Sequence, residues 1–158
     1  MKHEVLLAKL VAAVITLLTL IGIARAGESE EWLTNLFSRY RAPKELTGIV
    51  ISAGEKFGVD PKVIAAIIVV ESSAKPKAVS KGGDYGLMQI RWKVHKKDIQ
   101  HRFPSVKTAE DLLDPSVNVQ IGTEIFARYS QRNTLRGALL RYSGGNKTMA
   151  EKVLRLIK

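Results

Sequence analysis

Glu71 stands where a carboxylate can do acid–base chemistry. The eight residues before it, Val63-Ile64-Ala65-Ala66-Ile67-Ile68-Val69-Val70, carry no polar side chain. After it come Ser72-Ser73, a stretch of basic and small residues, and then Gly86-Leu87-Met88-Gln89. A carboxylate that closes an apolar helical run is partly desolvated, and it lies near the negative end of that helix's dipole. Both effects disfavour the ionised form and raise the pKa. A carboxylic acid still protonated near neutral pH can serve as a general acid, for instance on a glycosidic oxygen. Taken alone, a glutamate at a helix end more often pairs with a surface lysine. Ser72, directly after it, either hydrogen-bonds a ligand, orients the glutamate or caps the helix.

The elements around Glu71 read as helices. Asp60-Pro61 supplies an N-cap acceptor and a proline at the first helical position, so a helix is expected from there to Glu71. Its lack of a polar face makes it central, with other helices around it. Upstream, Trp32, Leu33, Leu36, Phe37 and Tyr40 recur at helical spacing. After Pro43, Leu46, Ile49, Val50, Ala53 and Phe57 do the same, and Gly58 ends that helix. Residues 72–85, with Pro76, Gly82 and Gly83, read as loop. Residues 87–92 are expected as one short helix and 93–104 as basic and irregular. A short helix over 108–113, capped by Thr108, comes next. Asp114-Pro115 repeats the cap signal and opens a helix to about Arg132. A further helix over 134–142 is broken by Ser143-Gly144-Gly145, and Asn146 caps a last amphipathic one with Val153, Leu154 and Ile157. No strand pair and no internal repeat is evident. The fold class is mostly α, one domain of packed helices.

The 158 residues suit one domain with an added N-terminal segment. The absence of cysteine excludes disulfides and thiolate catalysis. His3, His95 and His101 form no metal pattern, and His95 and His101 read as solvated surface side chains; no metal and no cofactor is expected. Residues 10–23 are almost entirely apolar, Lys2 and Lys9 are basic, and Ala24-Arg25-Ala26 has the A-x-A form of an export cleavage site. Residues 1–26 are therefore expected to be a signal peptide, or an uncleaved anchor, and 27–158 the functional domain outside the cytoplasmic membrane. The chain has a net charge of +10. Lys2, Lys9 and Arg25 against Glu4 account for +2, which leaves +8 on residues 27–158. Such a charge favours an anionic polymer. Export disfavours nucleic acid, although Arg91, Trp92, Lys93, Lys96, Lys97 and Arg102 mix charge with an aromatic as single-strand binders do.

Four blocks in this order resemble the lytic transglycosylase domain of the soluble lytic transglycosylase type, a relative of goose-type lysozyme. They are Glu71-Ser72-Ser73; Pro76-Lys77-Ala78-Val79-Ser80 followed by Gly86-Leu87-Met88-Gln89-Ile90; Leu113-Asp114-Pro115-Ser116-Val117-Asn118-Val119 with Gly122; and Tyr142-Ser143-Gly144-Gly145. The resemblance covers about residues 46–145. Each block alone is weak, and their order and spacing carry the signal. The resemblance implies a lysozyme-like fold with a glycan-binding cleft. It implies cleavage of the β-1,4 bond between N-acetylmuramic acid and N-acetylglucosamine. Glu71 would first protonate the leaving oxygen and then take the proton of the muramoyl 6-hydroxyl as it closes onto C1, giving a 1,6-anhydro product. Ser72, Met88, Gln89, Tyr142 and Ser143 would contact substrate, and Asn118 would tie loops together.

This chain departs from the family pattern at Ala74, Lys75, Asp84 and Ser143. Ser143 removes an amide from the cleft. Asp84 raises a specific alternative, a muramidase in which it positions water, against a surface pairing with Lys81 or Arg91. A further alternative is a non-catalytic glycan-binding assembly protein. The partners implied are peptidoglycan strands and an envelope-spanning machine: a secretion or conjugation apparatus, or a phage.

Overall fold

In the computed structural model, Asp60 and Asp114 each open a helix as their Asp-Pro dipeptides require. Asp60 accepts a hydrogen bond from the backbone N–H of Lys62 at 2.8 Å, and Asp114 from that of Val117 at 2.9 Å. The structure describes residues 2–158. For residues 2–6, 8 and 23–26 it describes the backbone alone, so the side chains of the Ala24-Arg25-Ala26 pattern and of His3 lie outside the described ones.

The order of elements is α1 (Lys2–Arg39), α2 (Leu46–Phe57), α3 (Pro61–Ser72), β1 (Asp84–Tyr85), β2 (Ile90–Arg91), α4 (Trp92–Arg102), a 3-10 turn (Glu110–Leu113), α5 (Pro115–Ser130), α6 (Leu135–Tyr142) and α7 (Lys147–Leu156). Helix α3 is the centre. Val63, Ile64, Ala65, Ala66, Ile67, Ile68 and Val69 are all buried, and α1, α2 and α7 pack around it. Each large aliphatic side chain buried there contributes about 1.5–3 kcal/mol. Helix α5 packs on α2, α6 and the 3-10 turn, and completes the core with Val119, Ile121, Ile125 and Phe126.

Helix α1 has two environments. Leu10, Val11, Val14, Ile15, Leu17, Leu18, Leu20 and Ile21 are exposed, and an 18-residue window within Lys9–Arg39 reaches a mean hydropathy of 2.1, apolar enough to cross a membrane. Further along, Leu33, Leu36 and Phe37 are buried in the core.

Three local expectations need correction. Residues 87–92 do not form a helix. Gly86 and Gln89 have φ of 73° and 49°, which turns the chain back so that β2 pairs antiparallel with β1, Asp84 opposite Arg91 and Tyr85 opposite Ile90. Residues 93–102 are not irregular but helical, as α4. That helix buries only Ile99, so its sequence shows no apolar stripe. It is tied to α5 by charge instead: Asp98 and Arg102 pair with Arg128 and Glu124. Third, the helix expected over 108–113 is a single 3-10 turn and Thr108 does not cap it. The Asp111 carboxylate accepts from the backbone N–H of Lys107 at 2.7 Å and of Thr108 at 2.8 Å, folding the chain back from inside the turn.

Candidate active site

Helix α3 ends where its carbonyls are met by a left-handed residue. Ser73, at φ 53°, donates its backbone N–H to Val69, and Ala74, at φ 58°, turns the chain away. Glu71 sits one residue inside this end, on the wall of a cleft of about 250 Å³. Its pKa is raised to about 7, first by burial and then by the negative charge of Asp84. The sequence pointed to desolvation correctly. The second contribution comes from a neighbouring carboxylate.

Asp84 lies in the same cleft and is committed to partners. Its two oxygens accept from Arg91 Nε at 2.6 Å and Nη2 at 2.9 Å, and Ser80 Oγ donates to it at 2.8 Å. Those contacts hold its pKa below the ordinary aspartate value, with the Arg91 hydrogen bond the largest cause. Asp84 is therefore a salt-bridged carboxylate, held ionised, beside a carboxyl group that titrates near neutral pH. Of the two pairings weighed from the sequence, Arg91 is the partner.

Another part of the cleft wall is residues 84–91, and Asn118 places it. Asn118 is fully buried. Its Oδ1 accepts from the Met88 N–H at 2.8 Å, and its Nδ2 donates to the carbonyls of Leu112 at 2.7 Å and Tyr85 at 2.8 Å. Gly86 makes room for it: a Cβ on Gly86 would lie 2.2 Å from Asn118 Nδ2. Asn118 is thus structural, as its position in the third block implied. Gly122 performs the same service one turn on, where a Cβ would meet Met88 Sδ at 2.5 Å.

The side chains singled out as substrate contacts divide. Gln89, Tyr142 and Ser143 line the cleft with Glu71. Gln89 donates from Nε2 to Gly86 at 2.9 Å and Ala78 at 3.3 Å, which uses both amide hydrogens. Its Oε1 is left to accept from an N–H or hydroxyl. Tyr142 donates its hydroxyl to the Met88 carbonyl at 2.8 Å, and its ring meets Phe126 edge-on at 5.9 Å. Burial, then the charge of Glu71, raises its pKa well above the usual tyrosine value, so it stays neutral. The Ser143 hydroxyl stays local, 3.3 Å from the Asn146 carbonyl and 3.4 Å from that of Leu140.

Ser72 and Met88 are elsewhere. Ser72 is buried and donates to the Ile68 carbonyl at 3.0 Å, a helix-internal bond. Met88 is fully buried against α5, and only its backbone carbonyl reaches the Tyr142 hydroxyl.

His95, expected on the solvated surface, is half-buried and lines the cleft. With only Ile99 buried on it, α4 shows no apolar stripe in the sequence, yet it lays His95 against α5. Burial, then the charge of Arg128, lowers its pKa, with Asp98 opposing. His101 is exposed as expected. Tyr129 and Arg141 also line the cleft and were not singled out. Ile125 and Tyr129, four apart on α5, were the available signal for one of them. Among the described residues there is no group of three or more His, Cys, Asp or Glu able to hold a metal ion.

A carboxyl group that titrates near neutral pH, an adjacent salt-bridged carboxylate and a free amide oxygen in one groove suit proton transfer to a bound oxygen of a polar ligand. The family model of the transglycosylase SLT domain matches residues 48–155 of this chain, a span that contains every residue of the cleft.

Proposed function

The chain belongs to the transglycosylase SLT domain family and is a lytic transglycosylase acting on peptidoglycan, and from that premise we propose that Glu71 alone performs both proton transfers. It protonates the glycosidic oxygen between the muramoyl residue and N-acetylglucosamine. As carboxylate it then accepts the proton of the muramoyl 6-hydroxyl while that oxygen bonds to C1. The product is a 1,6-anhydromuramoyl end, with no water consumed. The observation that carries this reading is Glu71 on the cleft wall beside the salt-bridged Asp84, where burial and then the charge of Asp84 raise its pKa to about 7. A group with that value is competent as acid and as base at the same pH. The other carboxylate in the cleft, Asp84, has both oxygens engaged. That favours a single-glutamate scheme over the two-carboxylate scheme of most glycosidases, and over a muramidase in which Asp84 activates water. Gln89 accepts from an acetamido N–H or a sugar hydroxyl, and Tyr142 and Ser143 complete the wall.

The apolar, exposed part of α1 fits an export signal or anchor, so the catalytic domain, residues 27–158, works in the periplasm or envelope. There it opens the wall locally for an envelope-spanning machine or a phage.

Digestion of purified peptidoglycan by the chain from Gly27 onward, with Glu71→Gln beside it and mass spectrometry of the products, tests the reaction. The expected products end in 1,6-anhydro-N-acetylmuramic acid and are absent from the variant digest. Products one water heavier, with reducing ends, establish a muramidase instead. Retained turnover in Glu71→Gln removes Glu71 from the acid role.

A further inference from the structure

The cleft does not stop at the Glu71 wall. A second compartment of about 580 Å³ opens from it and shares His95, Ile125, Tyr129 and Arg141 with it. Its charged lining is mostly cationic. Arg128, Arg132 and Arg141 line it, against one carboxylate, Asp98. Asp98 is already paired with Arg128. Arg132 and Arg141 have no carboxylate partner among the described residues and both are exposed. Two uncompensated guanidinium groups flank a groove continuous with the proton-transfer site. Such a site selects a ligand that carries negative charge beyond the scissile bond.

The sugar rings of peptidoglycan supply no such charge, since the lactyl carboxyl of the muramoyl residue is spent in the bond to its peptide. The stem peptide does supply it, through the free carboxylates of its acidic residues. We propose that this second compartment binds carboxylates of the stem peptide on the muramoyl residue held at Glu71, with Arg132 and Arg141 as the recognising groups. The proposal rests on the peptidoglycan reading above and adds a preference within that substrate: strands with charged stems over strands with neutral ones. Guanidinium groups suit carboxylates because their planar fork offers two parallel N–H donors.

The test compares soluble uncrosslinked glycan strands whose stem amines are acetylated with the same strands whose stem carboxylates are then converted to methylamides. Sugars and stem length are unchanged and only the charge differs. The expected result is a KM about tenfold higher for the amidated strands with kcat little changed, a gap that narrows as salt is raised. Arg132→Gln, at an exposed turn position whose side chain makes no ion pair among the described residues, should raise KM for the charged strands about threefold and leave KM for the amidated strands where it was. Equal KM for the two strands in the unaltered enzyme overturns the proposal. So does an Arg132→Gln variant that shifts both KM values alike. Failure to cleave either strand refutes the underlying peptidoglycan reading instead.

Discussion

Glu71 and Gln89 line one cleft, on walls whose backbones are satisfied in different ways. Helix α3 is self-sufficient. Its amides bond within the helix, Asp60 caps one end, Ser73 closes the other, and seven consecutive side chains are buried. Residues 84–91 bury Leu87, Met88 and Ile90 just as completely. Yet their regular pairing amounts to two residues on each strand. The polar groups of that wall are met by side chains far away in sequence: Asn118 takes the Met88 N–H and the Tyr85 carbonyl, and Tyr142 takes the Met88 carbonyl. One wall can be altered at its tip without losing its shape. The other is altered from a distance.

The largest effect should come from the tip of the self-sufficient wall. Glu71→Gln is expected to lower turnover by about a thousandfold, the usual range for a lost general acid. The fold should gain from it. As pH rises from 4.5 to about 7 the unfolded chain loses a proton that folded Glu71 retains, so stability falls across that window and the full cost is present above it. Glutamine removes the cost, giving a gain of up to about 3 kcal/mol at pH 8 that vanishes near pH 4. Urea denaturation at the two pH values reads this. A gain equal at both would mean that burial of the charge is not the cause.

Asn118→Ala acts from a distance on the other wall. It strips partners from two buried backbone groups and one part-buried one and should cost about 4 kcal/mol, together with most of the activity. If activity survives in the folded variant, the wall does not need Asn118 to hold its place. Tyr142→Phe removes one partner from the same wall. A loss of about 1 kcal/mol and a rate decrease of about tenfold are expected. An unchanged rate with the stability loss intact would make the hydroxyl purely structural.

Asp84→Asn sharpens the comparison without breaking either wall. It removes a negative charge beside Glu71 and leaves Arg91 uncompensated. Both changes favour the Glu71 carboxylate, so the Glu71 pKa falls. The alkaline limb of the pH–rate profile, where the acid form is lost, should move to lower pH. A limb that stays put would show that Asp84 does not act on Glu71 electrostatically.

The sequence was most readable where structure is made locally. The Asp60-Pro61 and Asp114-Pro115 starts and the apolar run of α3 follow from neighbours along the chain; the apolar run also foretold the burial that raises the Glu71 pKa, but the charge of Asp84, not the helix dipole, is its second cause. The helix α4 was hidden because ion pairs rather than an apolar stripe hold it, and His95 went with it. The turn at Gly86 and Gln89 depends on Asn118, some thirty positions away, so no local pattern separates it from a helix. For Met88 the sequence left core filler and cleft contact equally open, and for Ser72 a helix-end role and a ligand contact; burial decides both for the interior.

Asn118 also sets a clock. The Met88 amide belongs to a turn, a kind of segment that ordinarily exchanges its protons with solvent within moments. Here its hydrogen is held by a side chain rooted in the first turns of α5. Opening this wall requires Asn118 to let go, so the Met88 amide is expected to exchange as slowly as the amides of α5 around Asn118, which hydrogen exchange measures.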